Sequence, residues 1–385
     1  MSILVTGSAG HLGEALCRHY QEHFPEIPVV GVDRLASPFT TLVLDLSEPS
    51  AKEVLAEVFT QRRIGKIFHA ATLHKPHVAT HTEQAFIAVN IQATQMLLDL
   101  AVQHGDGALP GFVFTSTTST FGHAVPRGAL EGCAWIEETV APIPRNIYGI
   151  TKIAAEHLCQ LAQRNHKLPV AVVRTSRFFL EGDDDDDARA SMGDCNLKVN
   201  ELLYRRGDVA DMVSAHLLAM DWAMSSQKKR KMAAAVDSCI FIASAPSPFR
   251  PEDVEVLAKS GSDACQHRIL ERMGEACGCS GAKVAEMYKD LGWQLPHAFD
   301  RIYDSRKAQQ VLGWAPRYTF ASQLSKAHEV WRKKKEVQVA TGTDVISLEY
   351  CDLCSPLHVQ VGKKSYHEGQ AVASAKAKPY PTAER

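Results

Sequence analysis

Residues 2–13 read Ser2-Ile3-Leu4-Val5-Thr6-Gly7-Ser8-Ala9-Gly10-His11-Leu12-Gly13, and this stretch decides the fold. A short aliphatic run passes directly into glycines at positions 7, 10 and 13, and a helical pattern follows. Strand, glycine loop and helix in that order form a dinucleotide-binding turn. Gly7 permits the tight turn, Gly10 lets backbone amides approach a pyrophosphate, and Gly13 lets the helix pack close to the sheet with its N-terminus facing the phosphates. His11 and Leu12 lie inside the loop and join the expected cofactor contacts.

Working outward, Asp33 ends the next strand, where a carboxylate accepts hydrogen bonds from an adenosine ribose. The same charge repels a 2′-phosphate and favours NAD over NADP, although the neighbouring Arg34 pulls the other way. Asp45 and Leu46 follow a third strand and are expected at the adenine edge. Ala70 and Ala71, after a fourth, are small enough for a dinucleotide to lie over the sheet.

Expected strands are Ser2–Thr6, Val29–Asp33, Thr41–Leu44, Lys66–His69, Phe112–Thr115 and Val170–Arg174, with helices such as Leu12–Gln21, Thr82–Gln103 and Tyr148–Arg164 between them. The alternation predicts an α/β, Rossmann-type doubly wound parallel sheet. Residues 1–177 form its NAD-binding domain. From Phe178 onward the pattern loosens, which predicts a smaller C-terminal substrate-binding lobe over 178–330 with segments returning to the first domain; Val209–Trp222 reads as an amphipathic helix and Ser305–Gly313 as another, short one. Residues 331–385 read as a C-terminal extension whose last dozen residues are too rich in Ala, Lys and Pro to order themselves.

The chain has 385 residues, 45% apolar and 22% charged, so it can bury a substantial core without disulfides or metals. With 42 basic against 44 acidic residues it has no field for nucleic acid or an anionic membrane. No apolar run in the sequence reaches the roughly 20 residues needed to span a bilayer. Met1 leads straight into a strand, and ten cysteines without a framework suit a reducing compartment, so a cytoplasmic location is expected. Cys277/Cys279 and Cys351/Cys354 are half-sites for zinc without complementary pairs, and no metal is expected. Asp183–Asp187 and Lys228–Lys231 read as solvated charge runs.

The chemistry is carried by Tyr148-Gly149-Ile150-Thr151-Lys152 at the start of a helix, which sets Tyr148 and Lys152 on one face. A tyrosine is a poor base near neutrality, and a neighbouring ammonium favours its phenolate, so Lys152 is expected to lower the Tyr148 pKa and to hold the nicotinamide ribose. Thr115-Ser116-Thr117-Thr118-Ser119 supplies hydroxyls at the C-terminal edge of the sheet, one of which polarises the reacting oxygen.

TGSAGHLG, Asp33, Asn90 in VNIQATQMLL, TSTTSTFG and YGITK together resemble the NAD-dependent epimerase/dehydratase branch of extended short-chain dehydrogenases. The resemblance extends over residues 1–318 and includes Asp208-Val209-Ala210-Asp211 and Asp304-Ser305-Arg306-Lys307-Ala308. It implies that Thr117 is the hydroxyl partner, Tyr148 the general base, Lys152 the ribose contact and Asn90 a cofactor contact. It also implies a homodimer through the helices at Thr82–Gln103 and Tyr148–Arg164.

Two departures narrow the substrate. Thr117-Thr118-Ser119 stands where sugar 4,6-dehydratases carry Thr-Asp-Glu, which argues against that dehydration. Arg177 stands where many nucleotide-sugar enzymes place an asparagine, and with Arg206 it is a candidate for an anionic substrate group, an internal ion pair being the competing account; Arg205 is a further candidate. Among His69, His74, His77 and His81, His69 reads as strand-end packing and His74, like Lys75, as a neighbour of nicotinamide or substrate. The expected activity is epimerisation of a sugar or nucleotide sugar with NAD. A dehydrogenase or reductase of a sugar acid, polyol or other carbonyl compound, and a dinucleotide-binding protein without turnover, are the alternatives.

Overall fold

The computed structural model describes residues 1–105, 108–125, 132–179, 191–225, 239–297, 299–341, 348–349 and 352–357. Asp183–Asp187, Lys228–Lys231, Cys351 and the last dozen residues lie outside them. The strands are β1 (Ser2–Thr6), β2 (Val29–Asp33), β3 (Leu42–Val43), β4 (Ile64–His69), β5 (Gly111–Thr117), β6 (Ala134–Ile136), β7 (Val170–Thr175), β8 (Ile240–Ala243) and β9 (Arg301–Tyr303). The helices that matter here are α1 (His11–His23), α2 (Ala51–Arg62), α3 (Glu83–Gln103), α4 (Ile147–His166), α5 (Asp194–Glu201), α6 (Val209–Met224), α7 (Asp263–Cys277), α8 (Gly281–Leu291), α9 (Arg306–Leu312) and α10 (Phe320–Thr341).

Seven strands pair in the order β3-β2-β1-β4-β5-β7-β8, and every pairing is parallel. Side chains alternate across the sheet, as the two-residue period of a strand requires. Ile3 and Val5 pack with α1 and α6 on one face, while Leu4, Ile67 and Phe112 pack with α2, α3 and α4 on the other. Both faces are covered, so the strands read as continuous apolar runs. The order reverses between β1 and β4, and at such a crevice an open parallel sheet binds its ligand.

The lobe is built around α5, α7, α8 and α10, with Phe299, Ile302 and Leu324 in its core. It is joined to the sheet domain by the parallel pair β6–β9. α10 runs through residue 331 without a break. Leu353 and Cys354 are buried in the lobe core. Ser355 donates from its amide (2.9 Å) and hydroxyl (2.5 Å) to Asp208, the residue that caps α6.

β1 and β2 have the predicted bounds, whereas β5 and β7 run on to Thr117 and Thr175, carrying both threonines to the sheet edge as strand residues. β8 was hidden from sequence because Ile240–Ala243 is a short apolar run among loop residues, and pairing with β7 makes it a strand. α3 differs in two respects. It contains a π-helical turn over Ile87–Gln92, and its 21 residues are long and apolar enough to cross a bilayer, contrary to the sequence expectation. Here Leu97, Leu98 and Leu100 are instead buried against the sheet.

The β1–α1 turn depends on Gly13. A Cβ built there would lie 2.0 Å from the Gly7 carbonyl oxygen and 2.6 Å from its carbon, a backbone clash that no rotamer relieves. Gly13→Ala is therefore expected to lower stability by about 2 kcal/mol or more in urea denaturation, with loss of dinucleotide binding. Unchanged stability would mean that the close approach of α1 to the Gly7 backbone does not constrain this turn.

Candidate active site

A cavity of about 1020 Å³ opens along the C-terminal edge of the sheet, from the glycine loop to the lobe. At one end lie Gly7, Gly10, His11, Leu12 and Gly13. Gly7 adopts a φ of +76°, and a Cβ there would meet the Ala71 amide nitrogen at 2.7 Å, which is how closely the loop approaches the end of β4. α1 begins at its N-cap Gly10 with no side chain capping the first turn, leaving the helix end to the cavity. Asp33 is fixed by accepting from the Ala9 amide (3.0 Å) and the Leu35 amide (2.9 Å). Arg34, Asp45, Leu46, Ala70 and Ala71 also line this end. An uncapped helix end beside a held carboxylate, in a trough of this volume, fits a dinucleotide.

Asn90 departs from expectation. It is 1% exposed and does not line the cavity, because both ends of its amide are taken by protein. Its Oδ1 accepts from the Leu73 amide (2.9 Å) and Thr72 hydroxyl (3.0 Å), while Nδ2 donates to the Leu73 carbonyl (2.9 Å) and Thr151 hydroxyl (3.0 Å). From the π-helical turn of α3, Asn90 thus ties the loop after β4 to α4, one residue before Lys152.

Tyr148 and Lys152 lie in the first two turns of α4, whose N-cap Asn146 accepts from the Gly149 amide at 3.0 Å. Both line the cavity. Thr117 Oγ1 accepts from the Ser119 amide at 3.1 Å and lines the cavity with Tyr148, where its side chain favours the phenolate. Nearby hydroxyls have other partners: Thr115 bonds His216 (3.0 Å) and Ser116 donates to Glu156 (2.5 Å). Burial pushes the Tyr148 hydroxyl up to about 12, against the opposing Thr117 hydrogen bond. Burial also pushes Lys152 down to about 7, with Glu156 and Cys159 opposing. Burial, and not the charge of Lys152, therefore dominates the Tyr148 shift.

The arginines sort differently from expectation. Arg206 is 2% exposed and does not line the cavity, since it bonds Glu201 through Nε (2.7 Å) and the Phe179 carbonyl through Nη1 (2.9 Å). Arg177 and Arg205 do line it, although each also pairs with Glu201, at 2.8 and 2.6 Å. One buried carboxylate therefore gathers three guanidinium groups, which hold it well below the usual carboxylate range. Sequence reading missed Arg145, Arg301 and Tyr303, which share this end of the cavity. Arg301 and Tyr303 arrive on β9, too short a strand to recognise without its partner.

The histidines fall into two groups. His69 is buried between Thr6 (2.7 Å) and Thr94 (3.0 Å), as strand-end packing predicts. His74 and His77 line the cavity, their rings 4.4 Å apart, with Lys75 between them in sequence. Burial lowers both, to about 3 and about 4.

Comparison with known proteins agrees with this geometry. A family model described as "NAD dependent epimerase/dehydratase family" matches residues 3–235. An uncharacterized UDP-glucose epimerase of Bacillus subtilis is 29% identical over 192 residues, 45% of this chain and 55% of that protein, so the chain spans little more than half the length of that relative. A UDP-glucose 4-epimerase of Halalkalibacterium halodurans is 23% identical over 363 residues, covering 87% of this chain and 96% of that one. The solved UDP-glucose 4-epimerase of Thermotoga maritima with UDP-glucose superposes with a TM-score of 0.54 at 19% identity, over 87% of this chain and 100% of that chain, a likeness of fold.

A lysine held at about 7 is a stability cost with a defined pH window. Below about 7 folding buries a charged ammonium. Between there and the unfolded value near 10.4 the unfolded chain binds more protons than the folded one, so this group's penalty fades as pH rises. Lys152→Met is therefore expected to stabilise the protein by ~1–2 kcal/mol at pH 7 and to lose that advantage toward pH 10, as measured by denaturant titration. A variant no more stable than the parent at pH 7 would contradict this account.

Proposed function

The chain belongs to the NAD-dependent epimerase/dehydratase family, and we propose that it epimerises a sugar or nucleotide sugar, with Tyr148 as the acid/base. The observation that carries the reading is that Thr117, Tyr148 and Lys152 line the same cavity as the glycine loop. It is an NAD-dependent enzyme of the extended short-chain dehydrogenase class. Gly7, Gly10 and Gly13, with His11 and Leu12, are assigned to the pyrophosphate, Asp33 and Arg34 to the adenosine ribose, and Asp45 and Leu46 to the adenine. Ala70 and Ala71 floor the site. When bound, NAD supplies a reversible hydride acceptor and a positive ring.

Tyr148 accepts the substrate hydroxyl proton and returns it. A phenol raised to about 12 needs positive charge to act as a base near neutrality, and Lys152, one turn along the helix, is assigned to supply it. Thr117 donates to the oxygen that bears the developing charge. Lys152 also holds the nicotinamide ribose. Because Asn90 is taken by Leu73, Thr72 and Thr151, it acts by positioning the loop and α4. Arg177 and Arg205, with Arg301, suit an anionic group on the substrate, and the UDP-sugar names of the relatives point the same way.

We assign the outward faces of α3 and α4 to a homodimer contact. A groove between them is lined by Ile91, Met96 and Leu158, and Ile150 and Leu161 on α4 are about half exposed. Size-exclusion chromatography with light scattering is expected to give a dimer at micromolar concentration, and a monomer would remove this assignment.

For the reaction, Tyr148→Phe should keep fold and NAD binding while lowering kcat by at least ~10²-fold, since only the proton-transfer group is removed. Near-normal turnover would reject the assignment. Purified protein, denatured without added cofactor, should release stoichiometric NAD by mass spectrometry, as an enzyme that recycles its cofactor requires. Empty protein that binds NAD reversibly would favour net oxidation or reduction of a carbonyl compound instead.

A further inference from the structure

Beneath the catalytic pair, α4 carries another ionisable group, one turn beyond Lys152. Glu156 is 1% exposed. Its Oε1 accepts from Ser116 Oγ (2.5 Å) and Arg174 Nε (3.0 Å), and its Oε2 from Arg174 Nη2 (2.7 Å). Arg174 is itself 3% exposed, on β7 immediately before Thr175, which lines the cavity. Lys152 is 2% exposed, and its ammonium sits 4.2 Å from the centre of the Phe114 ring. Three ionisable side chains are thus buried together where the sheet meets α4.

Stability alone does not account for them. A buried arginine–carboxylate pair seldom adds net stability over apolar side chains of the same volume. The groups around Lys152 are Glu156 and Cys159 on its own helix, with Tyr148 one turn back along it, His69 at the end of β4, His74 in the loop beyond, and Arg174 behind Glu156 on β7. Burial holds His69 and His74 neutral, and it pushes the Tyr148 and Cys159 protons toward retention. Among the described residues, that leaves Glu156 as the carboxylate in the set. Phe114 offsets part of the lost hydration but carries no net charge.

We propose that Glu156, clamped by Arg174 and Ser116, is a positioning residue whose charge keeps Lys152 an ammonium in the site. The clamp serves two purposes: it satisfies both carboxylate oxygens in a dry environment, and it holds them toward β5 and β7, one helical turn from Lys152 and short of a salt bridge with it. Arg174 tempers the field that Glu156 projects. The reading rests on the assignment of Lys152 to the reaction, but its test does not require turnover.

The experiment is a pH titration of Lys152 by NMR in protein with ¹³C-labelled lysine, the resonance identified by its loss in Lys152→Met. Glu156→Gln is expected to lower the Lys152 midpoint by about one unit or more, because a counter-charge is removed while Arg174 remains. The double variant Glu156→Gln with Arg174→Met removes both charges, keeps the test available if the single variant does not fold, and is expected to lower the midpoint by less. In turnover, the loss in Glu156→Gln should be relieved as pH falls, which a loosened structure would not produce. An unmoved midpoint in Glu156→Gln, or an unmoved or raised one in the double variant, would overturn the proposal. A lowered midpoint in a protein whose Lys152→Met variant turns over normally would leave the proposal standing and reject the catalytic reading of Lys152.

Discussion

Keeping a lysine amine almost out of water at the edge of the sheet is the constraint around which this site is organised. Lys152 is 2% exposed, and a charge in that position is unfavourable unless its surroundings oppose its loss. The Phe114 face on β5 and the Glu156 carboxylate on α4 do so. Arg174 on β7 and Ser116 on β5 are committed in turn to Glu156. β5, β7 and α4 are therefore tied together by groups that contribute little to a hydrophobic core. Such local conflict with the rules of burial concentrates at functional sites, where stability is given up for a prepared charge.

From that anchor the cavity divides into parts of different origin. The glycine-loop end is made mainly by the stretch from β1 through β2, closed by Asp45, Leu46, Ala70 and Ala71, and depends on backbone: a glycine at positive φ, a helix end without a side-chain cap and a carboxylate held by two amides. The opposite end is made by side chains from distant segments. Arg145 precedes α4, Arg177 follows β7, Arg205 follows α5, and Arg301 with Tyr303 lies on β9. Glu201 draws Arg177 and Arg205 to one point across a bridge between the two segments, where the Arg177 amide donates to the Arg205 carbonyl at 3.2 Å. A shared carboxylate couples these arginines, so the effects of changing them will not add.

This division explains how much was legible in the sequence. Gly7, Gly10, Gly13, Asp33, Tyr148 and Lys152 stand at spacings fixed by local geometry, and a strand–turn–helix leaves its pattern within a dozen residues. Asn90 was recognised as a motif residue, but its environment depends on which groups the π-helical turn brings within reach, and spacing does not encode that. Arg206 and Arg205 are adjacent in sequence, and only the bridge to Arg177 decides which of them faces the cavity. The upward shift of Tyr148 is not legible in the sequence for a related reason. Charge proximity is readable from a four-residue spacing, whereas desolvation depends on everything packed around the pair.

The β6–β9 pair has a consequence for how the molecule comes into being. Ala134 registers with Arg301 and Ile136 with Tyr303, so the short sheet closes a loop of well over a hundred residues that contains β7, β8 and most of the lobe. Closing so long a loop has an entropic cost that local contacts do not share, and contacts of this separation form slowly. During synthesis, the glycine loop and its first two strands have their partners early, while Arg301 and Tyr303 emerge only after most of the lobe. The substrate end of the cavity is thus the last part of the enzyme to be assembled, and a chain stopped before β9 would lack those two side chains however well its first half had folded.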